Sequence, residues 1–157
     1  MFVGNVLLAL AWATLQAEFT LANLLVGHAV GYLILLMLVK GGVLAESRYV
    51  GRVKLAIGFV AFFLRELVVA NLRLARDVVS LQSTIRPGII AVPLDATSHS
   101  EILLLAALIN LTPGSVALDV SPDRRLMYVH SMYVKTPEAA RAEIKNGYER
   151  RVLQLLR

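Results

Sequence analysis

From Met1 to Val39 the chain contains no lysine or arginine, and Glu18 and His28 are its only charged-type side chains there. All 16 lysines and arginines fall from Lys40 onward. Hydrophobic residues make up 57% of the chain and charged residues 17%, against roughly 45–50% and 25% in a soluble domain. Because the excess is concentrated at one end, it predicts a bilayer segment joined to an aqueous one. No basic residue precedes the first apolar run and a second run comes at once, so the pattern reads as an uncleaved anchor rather than a signal peptide. The net charge of +5 is placed directly after hydrophobic stretches. That placement favours an anionic lipid surface over nucleic acid. There are no cysteines, which excludes disulfides and thiolate metal sites.

The first apolar segment runs from Phe2 to about Leu15 and is short for a hydrocarbon core of roughly 30 Å. It can cross upright if Trp12 lies near one interface. The second, Leu21 to Val39, is long enough. It carries Gly27 and Gly31, a GxxxG spacing that lets helices approach closely and is expected to pack on neighbours. Gln16 to Thr20 is just sufficient for a tight hairpin. Residues 1–39 are therefore expected to form a two-helix transmembrane hairpin.

The third apolar segment, Val53 to about Leu81, is interrupted by Lys54, Arg65, Glu66, Arg73, Arg76 and Asp77. At a bilayer centre each charge costs about 2.5–3.5 kcal/mol, whereas each Leu, Ile, Phe or Val contributes only about 0.3–0.6. Arg65 and Glu66 alone roughly cancel the run from Leu55 to Leu64. On a helical wheel all six charged residues fall within a sector of about 140°, and the rest is almost wholly apolar. Such a helix lies in a membrane interface. Arg65, Glu66, Arg73 and Arg76 are expected to anchor it to headgroups or to pair across a subunit boundary. The basic residues Lys40, Arg48, Arg52 and Lys54 place this stretch, and the rest of the chain after it, on the cytoplasmic side. Residues 40–83 are thus a basic loop and amphipathic interfacial helix, with a third span as the alternative.

Residues 84–157 change pattern. Arg86-Pro87-Gly88 is a turn, and Ile89 to Val92 a short buried strand. Ser98-His99-Ser100-Glu101 has capping-box spacing and starts a helix to about Asn110. Ser115 to Val120 and Leu126 to Val134 are strands flanking a polar turn in which Asp119 and Asp123 are capping groups. Thr136-Pro137-Glu138 starts a last helix, with Ala140, Ile144, Tyr148, Val152 and Leu155 as its buried stripe. The fold class is membrane α plus a small α+β domain of order β-α-β-β-α.

His28, His99 and His130 are too dispersed for a metal site. The glycines form neither a phosphate loop nor a dinucleotide fingerprint, and no nucleophile motif is present. The sequence offers no catalytic residue, no metal site and no cofactor. The two spans offer only Asn5, Asn23 and His28 as polar candidates for ion transfer, besides Glu18 at the loop, which argues against a self-contained transporter.

Leu111-Thr112-Pro113-Gly114-Ser115, Leu118-Asp119-Val120-Ser121-x-Asp123 and Met127-Tyr128-Val129-His130 together resemble the signature of the E subunit of the Mrp-type (Mnh or Pha) multisubunit sodium/proton antiporters. Phe63-Leu64-Arg65-Glu66-Leu67 followed by Asn71, and Ile85-Arg86-Pro87-Gly88 running on to Pro93, are similar to the same family. The likeness covers the chain in order. Ser115 stands where Thr is more usual and Met127 where Leu is; both keep size and polarity. The resemblance implies an accessory subunit of a plasma-membrane, multi-pass complex exchanging Na+ for H+. Its implied partners are the small F and G subunits and the large antiporter-like subunits. It also implies a supporting role in complex architecture and in the sodium route, and no enzyme activity. The alternative from the residues alone is a free-standing membrane-anchored module that docks a soluble partner through its α+β domain.

Overall fold

The computed structural model describes residues 1–45, 48–80 and 85–157. Leu81 and Thr84, the expected end of the third segment and start of the α+β domain, lie outside them. The chain forms two compact units, Met1–Ala56 and Ile57–Arg157.

In the first unit, α1 (Phe2–Leu15) and α2 (Leu21–Lys40) form a hairpin. Ala17 adopts a left-handed φ of 54°, and the Thr20 side chain caps α2 by accepting the Asn23 N–H at 3.2 Å. Asn23 also donates to the Glu18 carbonyl, so the reversal is held by local polar groups. Ala9 and Ala13 of α1 are fully buried against α2. A β-carbon on Gly27 would stand 2.8 Å from the Ala9 Cα, and one on Gly31 would strike the Asn5 amide oxygen. The neighbour that Gly27 and Gly31 admit is therefore α1 of the same chain. Asn5 is itself buried and donates to the Tyr49 hydroxyl, whose ring meets Phe2 and Tyr32 edge-on.

The outer surface of this hairpin is apolar: Leu7, Leu21, Leu25, Leu33 and Met37 are each more than half exposed. Among the described residues α2 is the one helix long and apolar enough to cross a membrane. The 14 residues of α1 extend only about 21 Å. Helix α3 runs from Arg48 to Val79, starting ahead of the apolar segment at Val53. Arg48 and Arg52 are exposed on its first turns, where charges solvate without interrupting a helix, so part of the expected basic loop is helical.

The second unit holds a three-stranded antiparallel sheet in the order β1-β3-β2, from β1 (Gly88–Pro93), β2 (Ser115–Val120) and β3 (Leu126–Ser131). Strand β3 stops at Ser131, short of the expected Val134. Its partner strand ends at Gly88, beyond which Pro87 has no N–H to donate. Helix α4 (His99–Leu111) and a C-terminal helical segment cover the sheet. Their core is Ile90, Val92, Leu105, Ile109, Met127, Val129, Ile144 and Val152. The C-terminal segment is not one regular helix: α5 (Pro137–Glu143) passes through a π-helical stretch, Ile144–Glu149, into α6 (Arg150–Leu156). Ala140, Ile144, Tyr148 and Val152 recur every fourth residue, which drifts off one face of a 3.6-residue helix. A wider π turn restores the register.

Candidate functional site

The densest polar constellation ties the loop between β1 and α4 to the C-terminal helix. Ser98 and Glu101 form the expected capping box. Glu101 Oε2 accepts the N–H groups of Thr97 and Ser98, and Arg157 closes on the same carboxylate at 2.9 Å. Far along the chain, Glu149 performs the matching task. Its Oε1 accepts the Asp95 and Ala96 N–H groups at 2.6 and 2.9 Å. Lys145 bridges Glu149 and Asp95 at 3.0 and 2.8 Å. Glu149 is only 1% exposed. Two buried carboxylates thus satisfy four consecutive backbone donors, each with a cation from the last helix.

The Arg157 bond, followed by those from Thr97 and Ser98, holds the Glu101 carboxyl down at about 2 from an ordinary 4.5. At Lys145 partial burial opposes the charge, but Asp95 and Glu149 outweigh it and raise the pKa. A depressed acid contributes stability that is complete above its unfolded pKa and fades as pH falls toward the folded one. Glu101 should therefore weaken the fold as pH falls from about 4.5 to about 2. Arg157→Ala lets the folded-state pKa of Glu101 rise toward its unfolded value, so stability at neutral pH should fall and the Glu101-linked loss below about pH 4.5 should shrink, as followed by denaturant unfolding at each pH with near-UV circular dichroism. Superimposable acid curves for the two proteins would remove this role for the Glu101–Arg157 pair.

Several residues that carry the family likeness make local contacts. Thr112 donates to the Leu108 carbonyl at 2.8 Å and meets the Tyr148 hydroxyl at 3.3 Å. Gly114 has φ of 88°, and a β-carbon there would press on the Tyr133 ring at 3.1 Å. Pro113 stands beside it in the wall of a cavity of about 70 Å3 that Glu66, Arg73 and Ser115 also line, room for water rather than for an organic substrate. Asp123 accepts the Ser121 hydroxyl at 2.6 Å and the Arg125 N–H, which lower its pKa in that order. Asp119 accepts the Val120 N–H. Tyr128 and His130 lie on the sheet face away from Met127 and Val129. The Arg86 backbone pairs with Met132 and Val134, and its side chain is exposed. Gly88 stands against Val134.

His28 bonds its own helix at the Leu24 carbonyl, and His99 sits exposed at the start of α4. No group of three or more His, Asp or Glu side chains could hold a metal among the described residues.

Helix α3 divides its wheel differently from a simple polar and apolar split. Phe59, Phe62 and Phe63 pack against the α+β core, and Glu66 faces the same way. Phe62 meets the Tyr148 ring, and Arg151 lies 3.8 Å over Phe62. Arg73 stacks over Tyr133, and the Asp77 carboxylate beside the Tyr133 hydroxyl raises that phenol's pKa. Arg65 pairs with Glu66 at 2.7 Å. The opposite side, with Ile57, Val60, Leu64, Val68, Leu72 and Val79, is an exposed apolar strip spanning about 120°. Sequence reasoning missed Lys145 and Glu149; their i, i+4 spacing was visible, but nothing local marked Glu149 as buried.

Comparison with known proteins covers both units. The profile of a family described as Na+/H+ ion antiporter subunit matches residues 5–155. The E subunit of the Na+/H+ antiporter of Alkalihalophilus pseudofirmus is 34% identical over 151 residues, 96% of this chain and 94% of that one. Its Bacillus subtilis counterpart is 31% identical over 98% and 96% of the two chains. Among solved structures, a chain of the Mrp complex from Dietzia sp. superposes with a TM-score of 0.51 at 26% identity, over 65% of this chain and 96% of that one. A chain of the archaeal membrane-bound sulfane sulfur reductase, a respiratory membrane complex, gives 0.58 at 25% identity over 99% and 98%.

Proposed function

The chain belongs to the E-subunit family of Na+/H+ antiporters, and from that premise we propose that it is the architectural subunit through which such an antiporter complex is held together at the cytoplasmic face of the plasma membrane. The single observation that carries this reading is the match from residue 5 to residue 155, which spans the apolar hairpin and the α+β unit together. A free-standing docking module could carry both parts, but it would not match an antiporter-subunit family along both of them.

In this reading α1 and α2 both cross the bilayer, with the outward leucines of the hairpin facing lipid or neighbouring subunits. Helix α3 lies in the interface on its exposed apolar strip, and the α+β unit is cytoplasmic. The contacts with the small F and G subunits and with the large antiporter-like subunits form around it. Na+ and H+ move through the complex, and proton transfer belongs to the larger subunits. Residues 1–39, 40–83 and 84–157 divide the labour as anchor, interfacial connector and docking domain.

Affinity purification from native membranes in mild detergent should recover the large antiporter subunits with this chain. A chain that purifies alone would remove the proposal. Since the sequence has no cysteine, a single Ser100→Cys in whole cells reports topology directly. It should react with an impermeant thiol reagent only after the cytoplasmic side is opened, and labelling from outside contradicts the two-span arrangement.

A further inference from the structure

The end of α3, the segment entering β1 and the start of α5 enclose a surface cavity of about 840 Å3 in the second unit. Four cations line it, Arg73, Arg76, Arg86 and Lys135, against two carboxylates, Asp77 and Glu143. Asp77 is engaged by Tyr133, and Arg73 lies over the same ring. Arg76, Arg86 and Lys135 are exposed, and none of the three enters a salt bridge among the described residues. The cavity is of ligand size. Its guanidinium groups stay charged at any physiological pH and so suit binding an anion rather than moving a proton.

The surface beside the cavity identifies the anion. Arg76 stands on the border of the exposed apolar strip of α3, next to Leu72 and Val79, each well over half exposed. A free phosphate has no use for such a strip, whereas a phospholipid presents an anionic head to the cavity and acyl chains to the leucine and valine.

We propose that this cavity is a headgroup site for an anionic phospholipid, with Arg76, Arg86 and Lys135 holding the phosphate and the α3 strip receiving the acyl chains. The site gives Arg86, whose backbone alone is used in the fold, a task for its side chain. The proposal rests on the interfacial reading of α3.

Native mass spectrometry of the full chain in detergent, titrated with phosphatidylglycerol or with phosphatidylcholine of the same acyl chains, tests it. Phosphatidylglycerol should be retained selectively. The triple variant R76Q/R86Q/K135Q should bind it on the order of a hundredfold more weakly, about fivefold for each cation removed. R124Q/R125Q, on the β2–β3 turn, should bind as the parent does. If the triple variant loses its fold by circular dichroism, R86Q and K135Q singly should each show the fivefold loss.

Equal retention of the two lipids, unchanged binding by the triple variant, or an equal loss in R124Q/R125Q each overturns the site. Displacement by millimolar inorganic phosphate as effective as by lipid overturns the lipid assignment in favour of a free-phosphate site. A nitroxide on Leu72→Cys in vesicles separates the two readings. Burial of the label with unselective lipid binding leaves α3 interfacial and removes only the site, whereas an aqueous label removes the interfacial reading itself.

Discussion

Glu149→Ala is expected to destabilise the α+β unit by about 3–5 kcal/mol, the range for removing one partner from a buried, hydrogen-bonded ion pair. The substitution leaves the Asp95 and Ala96 N–H groups without their acceptor and Lys145 without one of its two counter-ions. A domain of this size has total stability of only about 5–15 kcal/mol, so much of it would be lost. Glu149→Gln keeps an oxygen for the two N–H groups and gives up only the ion pair, so its cost should be nearer about 1–2 kcal/mol. Hydrogen exchange on the full chain reads both, with protection falling across residues 95–111 in the order parent, Gln, Ala. If Ala and Gln cost the same, the backbone bonds are not what Glu149 supplies.

The second large effect belongs to the hairpin. Gly27→Val forces side-chain atoms into space already occupied by the Ala9 backbone and the Trp12 β-carbon. Backbone cannot swing aside as a side chain can, so α1 must move off α2. Overpacking of this kind costs about 1–3 kcal/mol. Nitroxides on Leu7 and Leu33, both exposed, should report a longer and broader distance distribution by pulsed electron resonance. Gly58→Ala is the control, since nothing lies within 4 Å of a β-carbon there, and its distances should match the parent. An unaltered distribution in Gly27→Val would mean that the two glycines do not set the helix spacing.

Features with a short-range signature were legible in the sequence. The Ser98–Glu101 capping box, the Thr136-Pro137 helix start and the alternation of Met127 and Val129 with Tyr128 and His130 all depend on residues within a few positions of one another. Their chemistry permits few alternatives. The GxxxG spacing announced close approach but not the partner, because small residues make room for any helix.

Long-range burial was not legible. Glu149 looks like one more surface acid of a basic helix until the β1–α4 loop arrives with its unsatisfied donors. The π stretch was implicit in the four-residue spacing of Ala140, Ile144, Tyr148 and Val152. A stripe with that spacing can also be accommodated by helix curvature, so the spacing alone does not select a π turn. The wheel of α3 predicted amphipathicity correctly but not which side meets the domain, since Phe62 and Glu66 share the covered face through tertiary contacts.

The clasp between residues 95–101 and 145–157 also sets an order of events during synthesis. The β1–α4 loop cannot be closed until Lys145, Glu149 and Arg157 have been made, whereas the α1–α2 hairpin is complete at Lys40. At about 5–20 residues per second, the ribosome separates these moments by roughly 5–20 s. With the hairpin in the bilayer, as proposed above, the nascent chain is tethered by its apolar end well before the α+β unit can finish folding. Any chaperone that shields the incomplete sheet must work within reach of the membrane.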